Sequence, residues 1–299
     1  TVGAGAHGVE LQNSSGVITL ENVNVTGTQG NAFYVTGGDA AVVYNSGTIN
    51  NNSGFAVLLE NNAGSVNMSG VSVTDVGGLG VEVTGSASQN TFGNLTLTNT
   101  VGNAINLLNS TGLNSFLDNV TISGATVDGI FAQGISGIAK FQNPVTINSR
   151  NGVGVNLQNN SGVVQFLDSL TLGTPNSGGV NDPGINFQGS SGQAIFKDIN
   201  VKGSFGSGIN IGGPVAADQN TGKFQALGFT TISQATRQSI LLFNDASNVQ
   251  FNGISITERG DRGIEVTNHS GTTNFGGLTT IQNENGVGNA ALLDRKSVV

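Results

Sequence analysis

A small residue followed by an apolar–x–apolar triplet recurs along the 299-residue chain at a period of about 24 residues, which is typical of repeat architectures. The steps between successive small residues are 24, 24, 24, 24, 25, 25, 30, 24, 31, 24 and 27. A large apolar residue follows twelve positions later in ten of the eleven complete units. Such a period predicts one structural unit stacked many times. The small residues that open the units are Gly8, Ala32, Ala56, Gly80, Ala104, Gly129, Gly154, Gly184, Gly208, Ser239, Gly263 and Ala290.

Each unit has the pattern of three short strands. In the unit that opens at Gly154, apolar and polar residues alternate over 155–157, 164–166 and 170–172. Alternation with a period of two, bounded by Gly, Asn and Ser, is typical of strands separated by tight turns. Asn and Gly tolerate the left-handed backbone that such corners require. No helical stripe interrupts the pattern, and so the sequence predicts an all-β chain.

Three strands per turn, with side chains alternating in and out, predict a parallel β-helix. Coils of this length are too long for the left-handed hexapeptide form, and parallel crossovers are right-handed. We therefore expect three parallel sheets and eleven full coils plus part of a twelfth. On this repeat the chain resembles the right-handed parallel β-helix, or pectin-lyase-like, superfamily. The resemblance covers residues 1–293 and concerns architecture only.

The large apolar residues are expected to stack inside the coils. Seven phenylalanines from Phe92 to Phe275 share one position, and Phe224, four places late in its unit, indicates an insertion before it. Stacked aromatic pairs add about 0.5–1.5 kcal/mol beyond burial. Core packing therefore explains this row better than a sugar-stacking surface. At another inward position Asn90 and Asn114 replace apolar residues, which predicts a short buried amide ladder.

Composition excludes several function classes. The chain has no cysteine and only two histidines, far apart, and so we expect no metal site and no cofactor. The formal net charge is −8 and the basic residues are scattered, which argues against nucleic acid as a partner. No stretch is apolar enough for a membrane span.

The two ends of the sequence suggest a piece of a longer protein. Thr1 is not preceded by a start methionine and already lies within a repeat. The hexapeptide 294–299 breaks the repeat and matches the translation of a common sequencing-adapter sequence. We therefore expect a single solenoid domain over 1–293, as a fragment of a longer chain, and a non-native tail over 294–299.

Charged residues offer few candidates for catalysis. Asp75, Asp128 and Asp182 each precede a first strand, but in different coils and without basic neighbours in sequence. The segment 258–262, followed by Glu265, is the densest in charge. Both a catalytic cluster and a solvated corner with weak ion pairs fit this segment, and the corner is the more common arrangement.

Two insertions, 173–183 and 212–220, indicate where a ligand site would lie, because repeat proteins carry binding loops on one face. Both flank the first-strand face, whose outward column there reads Asn156, Asn186 and Asn210. This amide shelf suits hydroxyl-rich ligands such as glycans. An amide ladder that serves stability alone is the simpler interpretation.

The third strands carry two outward files of Thr, Ser and Asn, which resemble the flat faces of ice-binding solenoids. Gly173, Lys202 and Gln282 interrupt one file, and Thr is common on any exposed strand. Ice binding is therefore a remote alternative.

These observations favour a non-catalytic structural or adhesive segment of a secreted or cell-surface bacterial protein. The regular coils and short loops resemble autotransporter passenger domains and adhesin stalks. Its partners would be glycans or host cell-surface ligands, and the rod would be monomeric. The alternative is a polysaccharide lyase or glycoside hydrolase, because one fold hosts many functions. In that case Asp182 and Asp218 would supply the carboxylates.

Overall fold

A computed structural model describes residues 6–50, 52–74, 78–148, 151–173, 183–257, 260–282 and the backbone of 291–293. These residues form short strands, one 3₁₀ turn at Ala216–Asp218, and no α-helix. The predicted tail and the ends of the chain lie outside the described residues. In chain order the strands are β1 (Val9–Gln12), β2 (Val17–Leu20), β3 (Val23–Thr26); β4 (Phe33–Thr36), β5 (Ala41–Tyr44), β6 (Gly47–Asn50); β7 (Phe55–Glu60), β8 (Val66–Met68), β9 (Val71–Thr74); β10 (Leu79–Thr84), β11 (Asn90–Phe92), β12 (Leu95–Thr98); β13 (Ile105–Leu108), β14 (Leu113–Phe116), β15 (Val120–Ser123); β16 (Ile130–Gln133), β17 (Ile138–Phe141), β18 (Val145–Asn148); β19 (Val155–Gln158), β20 (Val163–Leu172); β21 (Ile185–Gln188), β22 (Gln193–Val201); β23 (Ile209–Gly212), β24 (Lys223–Ala226), β25 (Thr230–Ser233); β26 (Ile240–Phe243), β27 (Asn248–Phe251), β28 (Ile254–Thr257); β29 (Ile264–Thr267), β30 (Thr273–Phe275), β31 (Thr279–Ile281); and β32 (Ala291–Leu293).

The strands stack as a parallel β-solenoid with three faces, as the sequence predicts. The first strands of successive units form one parallel sheet of twelve strands, from β1 to β32. The second and third strands belong to a single sheet of twenty strands. The second and third faces are joined because β20 and β22 run through the corner between them without a break.

The predicted aromatic row lies in the core. Phe92, Phe116, Phe141, Phe166 and Phe196 are buried and stack in register. Neighbouring ring centroids are 4.4–5.0 Å apart, and the ring planes differ by 4–15°. Parallel strands lie about 4.8 Å apart, and so identical residues in successive coils meet face to face. A regular step between coils is therefore sufficient to build this row.

Phe224 joins the row differently from its neighbours. Ala226 pairs with both Phe196 and Phe251, and so it occupies the Phe position of this unit. Phe224 lies two residues earlier on the same strand, and its ring tilts by 34° against Phe196 and by 38° against Phe251. Phe224 therefore occupies the neighbouring inward position of its strand, and Ala226 holds the regular one.

The corner between the first and second strands explains an alternation of Asn and Gly. Asn109 has a φ of 50° and Gly134, one coil later, a φ of 67°. A Cβ placed on Gly134 would lie 2.3 Å from Oδ1 of Asn109. From the first to the eighth coil, an Asn is therefore followed by Gly in the next coil. The residues with positive φ at this corner in those coils are Asn13, Gly37, Asn61, Gly85, Asn109, Gly134, Asn159 and Gly189.

The predicted buried amide ladder is confirmed. Nδ2 of Asn90 donates to Oδ1 of Asn114 at 2.9 Å, and both side chains are fully buried. The same two amides donate to the hydroxyls of Ser86 and Ser110 at 3.1 and 2.9 Å. Buried polar groups are costly unless paired, and these four residues satisfy one another across two coils.

Candidate functional site

The three asparagines of the predicted amide shelf come together on the first sheet. Nδ2 of Asn186 donates to Oδ1 of Asn156 at 3.0 Å, and Nδ2 of Asn210 donates to Oδ1 of Asn186 at 2.8 Å. Asn156 and Asn186 are each only 7% exposed. The amides are therefore occupied by one another, which is the geometry of a ladder.

A buried carboxylate ends this ladder. Oδ2 of Asp128 accepts a hydrogen bond from Nδ2 of Asn156 at 2.8 Å, and Oδ1 accepts from the backbone N–H of Val153 at 2.9 Å. Asp128 is 6% exposed. Hydrogen bonds to a carboxylate are stronger than those between neutral groups. Asp128 therefore fixes the first amide of the ladder and, through it, the orientation of the others.

The insertion 212–220 folds back onto the coil before it. The backbone N–H of Gly189 donates to the carbonyl of Asp218 at 2.8 Å. The Asp218 carboxylate accepts from the backbone N–H of Val215 at 3.3 Å, within the 3₁₀ turn. Asp182 and residues 174–181 lie outside the described residues, and so the separation of the two predicted carboxylates is undefined.

The charged corner consists of partly exposed ion pairs where it is described. Arg262 lies 2.8 Å from Glu265 and 3.9 Å from Asp261. The hydrogen bond to Glu265 raises the pKa of Arg262. Asp75, Glu258 and Arg259 lie outside the described residues.

A buried carboxylate–imidazole pair was not anticipated from the sequence. Nδ1 of His269 lies 3.2 Å from Oδ2 of Asp245, and neither side chain has any exposed surface. Asp245 also accepts from Nδ2 of Asn220 at 2.9 Å and from the backbone N–H of Ser247 at 3.2 Å. With no exposed surface, this pair cannot meet a substrate, and so its role is structural.

The spacing along the chain contains the signal for this pair. Asn220, Asp245 and His269 follow one another at the regular coil spacing, so they occupy the same inward corner position in successive coils. The residue of each coil contacts the next: Asn220 donates a hydrogen bond to Asp245, and His269 lies 3.2 Å from Asp245. Following this corner column, in addition to the strand positions, would have brought the two residues together.

Carboxylates on the first-sheet face of the early coils are also engaged. The hydroxyl of Tyr34 donates to Oε2 of Glu60 at 2.8 Å. Nδ2 of Asn106 donates to Oε2 of Glu82 at 2.7 Å. These contacts connect neighbouring coils.

The hydroxyl files of the third strands contain a break in register. Thr74 of β9 pairs with Thr96 of β12, although the regular step would pair it with Thr98. Between the third and fourth coils, both files are therefore shifted by two residues along the strand. Ice binding through a flat, uniform face is not favoured by this offset.

Comparison with known proteins agrees with the architecture. The family described as "Right handed beta helix region" matches residues 3–169, which is more than half of the chain. The chain therefore belongs to the right-handed β-helix family. No curated protein and no solved structure matches it.

The described residues lack two features. None of their helical segments is long and apolar enough to cross a membrane. In the same part of the chain, no three His, Asp or Glu side chains are grouped as metal-ion ligands would be.

Proposed function

We propose that this chain is a non-catalytic structural or adhesive segment of a large secreted or cell-surface bacterial repeat protein. The observation that carries this proposal is the pairing of polar side chains between successive coils. The amides of Asn156 and Asn186 bond to each other, and the carboxylates of Glu60, Glu82 and Asp128 accept bonds from neighbouring coils. Such contacts stabilise the stack by connecting neighbouring coils.

The shape of the molecule supports a role in projection or presentation. Eleven complete coils at about 4.8 Å each make a rod about 50 Å long. Each coil contacts only its neighbours, and so a longer rod forms by adding coils without changing those present. A long face of regular strands offers many equivalent positions for weak contacts to a surface ligand.

An enzyme of the pectin-lyase-like class is the rival. A hydrolase needs two carboxyl groups about 5–10 Å apart, and a lyase needs a base together with a cation that stabilises the developing charge. Of the predicted pair, Asp218 accepts a bond from Val215 in its own loop. The described residues therefore supply no assembled pair that supports this alternative.

The decisive experiment for catalysis compares the unmodified chain with Asp218→Asn. We expect neither protein to release reducing ends, or unsaturated products detected by their ultraviolet absorbance, from uronate, xylan or glucan polymers. Release by the unmodified chain that is lost in the variant would contradict the proposal and favour the hydrolase or lyase.

The predicted location needs a separate test. We expect the full-length protein to be recovered from the culture medium, or to be removed from intact cells by added protease. Recovery from the cytoplasm alone would contradict a secreted or cell-surface role.

A further inference from the structure

A polar groove lies on the outer side of the second-strand face in the last three coils of which the structure describes all three strands. Strands β24, β27 and β30 pair in register there. The groove has a volume of about 300 Å³ and is lined by two files of outward side chains, with Val249 between them. One file is Lys223, Asn248 and Thr272, and the other is Gln225, Gln250 and Asn274.

The composition of this groove differs from that of the same face in the four preceding coils. In the four preceding coils, one of the two outward residues is apolar: Leu113, Ile138, Val163 and Ile195. From Lys223 onwards all six outward positions are polar, and four of them are carboxamides. The change is confined to consecutive coils, and so it forms one continuous patch.

Several polar groups in the groove retain hydrogen-bonding capacity. Nε2 of Gln225 donates to Oε1 of Gln250 at 3.2 Å, and Oδ1 of Asn248 accepts from the Thr272 hydroxyl at 2.7 Å. A carboxamide has two donor hydrogens and an oxygen with two lone pairs, so each keeps some capacity after one such bond. Within the described residues, the side chains of Lys223 and Asn274 make no hydrogen bond.

One end of the groove leads to an exposed apolar corner. Nε2 of Gln250 donates to Oδ1 of Asn252, whose Nδ2 in turn donates to the carbonyl of Leu227. Leu227, Phe229 and Leu278 are 46%, 43% and 71% exposed. A Cβ atom at Gly253 would lie 2.7 Å from the Phe229 ring. The absence of a side chain at Gly253 therefore makes room for that ring.

The geometry points to a binding site for a neutral glycan, with its hydroxyls in the amide groove and an apolar sugar face against Phe229. Carboxamides both donate and accept, as sugar hydroxyls do. The groove is lined by one cationic side chain, Lys223, and the chain has a net charge of −8, and so a polyanion would be attracted only weakly. This inference deepens the proposed adhesive function and rests on it, and it uses a different face from the amide shelf of Asn156, Asn186 and Asn210.

The test applies the full chain to an array of immobilised neutral and acidic oligosaccharides. We expect retention on one or more neutral glycans, unchanged at high salt, because screening weakens charge-dependent binding only. Binding restricted to acidic glycans and lost in salt, or no retention on any glycan, would overturn the inference.

Matched variants locate the site. Gln250→Ala and Phe229→Ala should each weaken binding to the retained glycan about tenfold, which is the loss of one good contact. Gln165→Ala is the control for the amide, since Gln165 occupies the same outward position two coils before Gln225. Phe205→Ala is the control for the ring, because Phe205 is 55% exposed at another corner.

Both controls should bind like the unmodified chain, and circular dichroism should show all four variants folded. If a control weakens binding as much as its partner, the groove is not the site. Cleavage of the retained glycan would contradict the non-catalytic function and leave the groove in place. An absence of both binding and cleavage would overturn only the glycan site.

Discussion

The interior of the solenoid differs between its regular middle and the coil that carries the 212–220 insertion. From Phe92 to Phe196 the rings stack with centroids 4.4–5.0 Å apart and nearly parallel planes. In the insertion coil, the Phe224 ring stands 5.2 and 5.5 Å from its neighbours and is tilted by 34° and 38° against them. Strand pairing is regular in this coil, but its ring comes from Phe224, two residues before the regular position that Ala226 holds. Regular pairing therefore does not require the same residue type in the core of every coil.

The inward corner next to the first strand shows a parallel difference. In the regular coils it holds neutral residues such as Ser86, Ser110 and Ile135, whereas after the insertion it holds Asn220, Asp245 and His269. A buried carboxylate requires several donors, and here adjacent coils provide them. The later coils thus bury ionisable side chains at a corner where the earlier ones bury neutral residues.

The largest expected effect tests the regular row. Phe141→Ala removes a ring stacked on both sides and leaves a cavity, which should lower the free energy of unfolding by about 4 kcal/mol. Urea denaturation followed by circular dichroism measures this loss. Phe141→Leu, which refills most of the cavity, is the control. A loss below about 1 kcal/mol in the alanine variant would contradict the stacked core.

The second effect tests the polar corner. Asp245→Ala removes the acceptor of the bonds from Asn220 and Ser247, and it should lower the free energy of unfolding by about 3 kcal/mol. Ser110→Ala, at the same corner in a regular coil, should cost about 1 kcal/mol in the same denaturation experiment. Equal losses in the two variants would remove the distinction between these regions.

The third effect concerns Tyr44, which takes the place of phenylalanine near the start of the row. Burial raises the pKa of Tyr44 from 10.0 to about 12. Because the pKa of Tyr44 is raised in the folded state, ionisation of its hydroxyl opposes folding. The free energy of unfolding should therefore be unaffected by Tyr44 below pH 10 and should fall by about 2–3 kcal/mol as the pH rises to 12. Denaturation at several pH values should show the fall, and Tyr44→Phe should remove this part of it. An identical fall in the variant would contradict the assignment.

The smallest effect tests the exchange between Phe224 and Ala226. Ala226→Phe alone places a second ring in a filled core and should cost about 1–3 kcal/mol. Adding Phe224→Ala moves the ring to the position that pairs with Phe196 and Phe251, and it should recover most of that loss. Denaturation of both variants measures the recovery. A double variant less stable than the single one would show that the tilted ring has a role beyond filling space.

The sequence by itself determined the repeat, the in–out alternation, the buried aromatic row and the amide ladder of Asn90 and Asn114. In a solenoid, residues one coil apart in sequence are neighbours in space, and so a regular period converts sequence spacing directly into contacts. This conversion holds wherever the step between coils stays constant.

Only the tertiary structure decided the contacts that form where that step changes. The place of Ala226 instead of Phe224 in the regular row and the offset of Thr74 against Thr96 each depend on a strand register that the repeat does not specify. The groove between Lys223 and Asn274 likewise requires side chains from three coils to stand beside one another. Loop length sets the register across an irregular corner, and distances of a few ångströms select hydrogen-bond partners, neither of which a periodic pattern specifies.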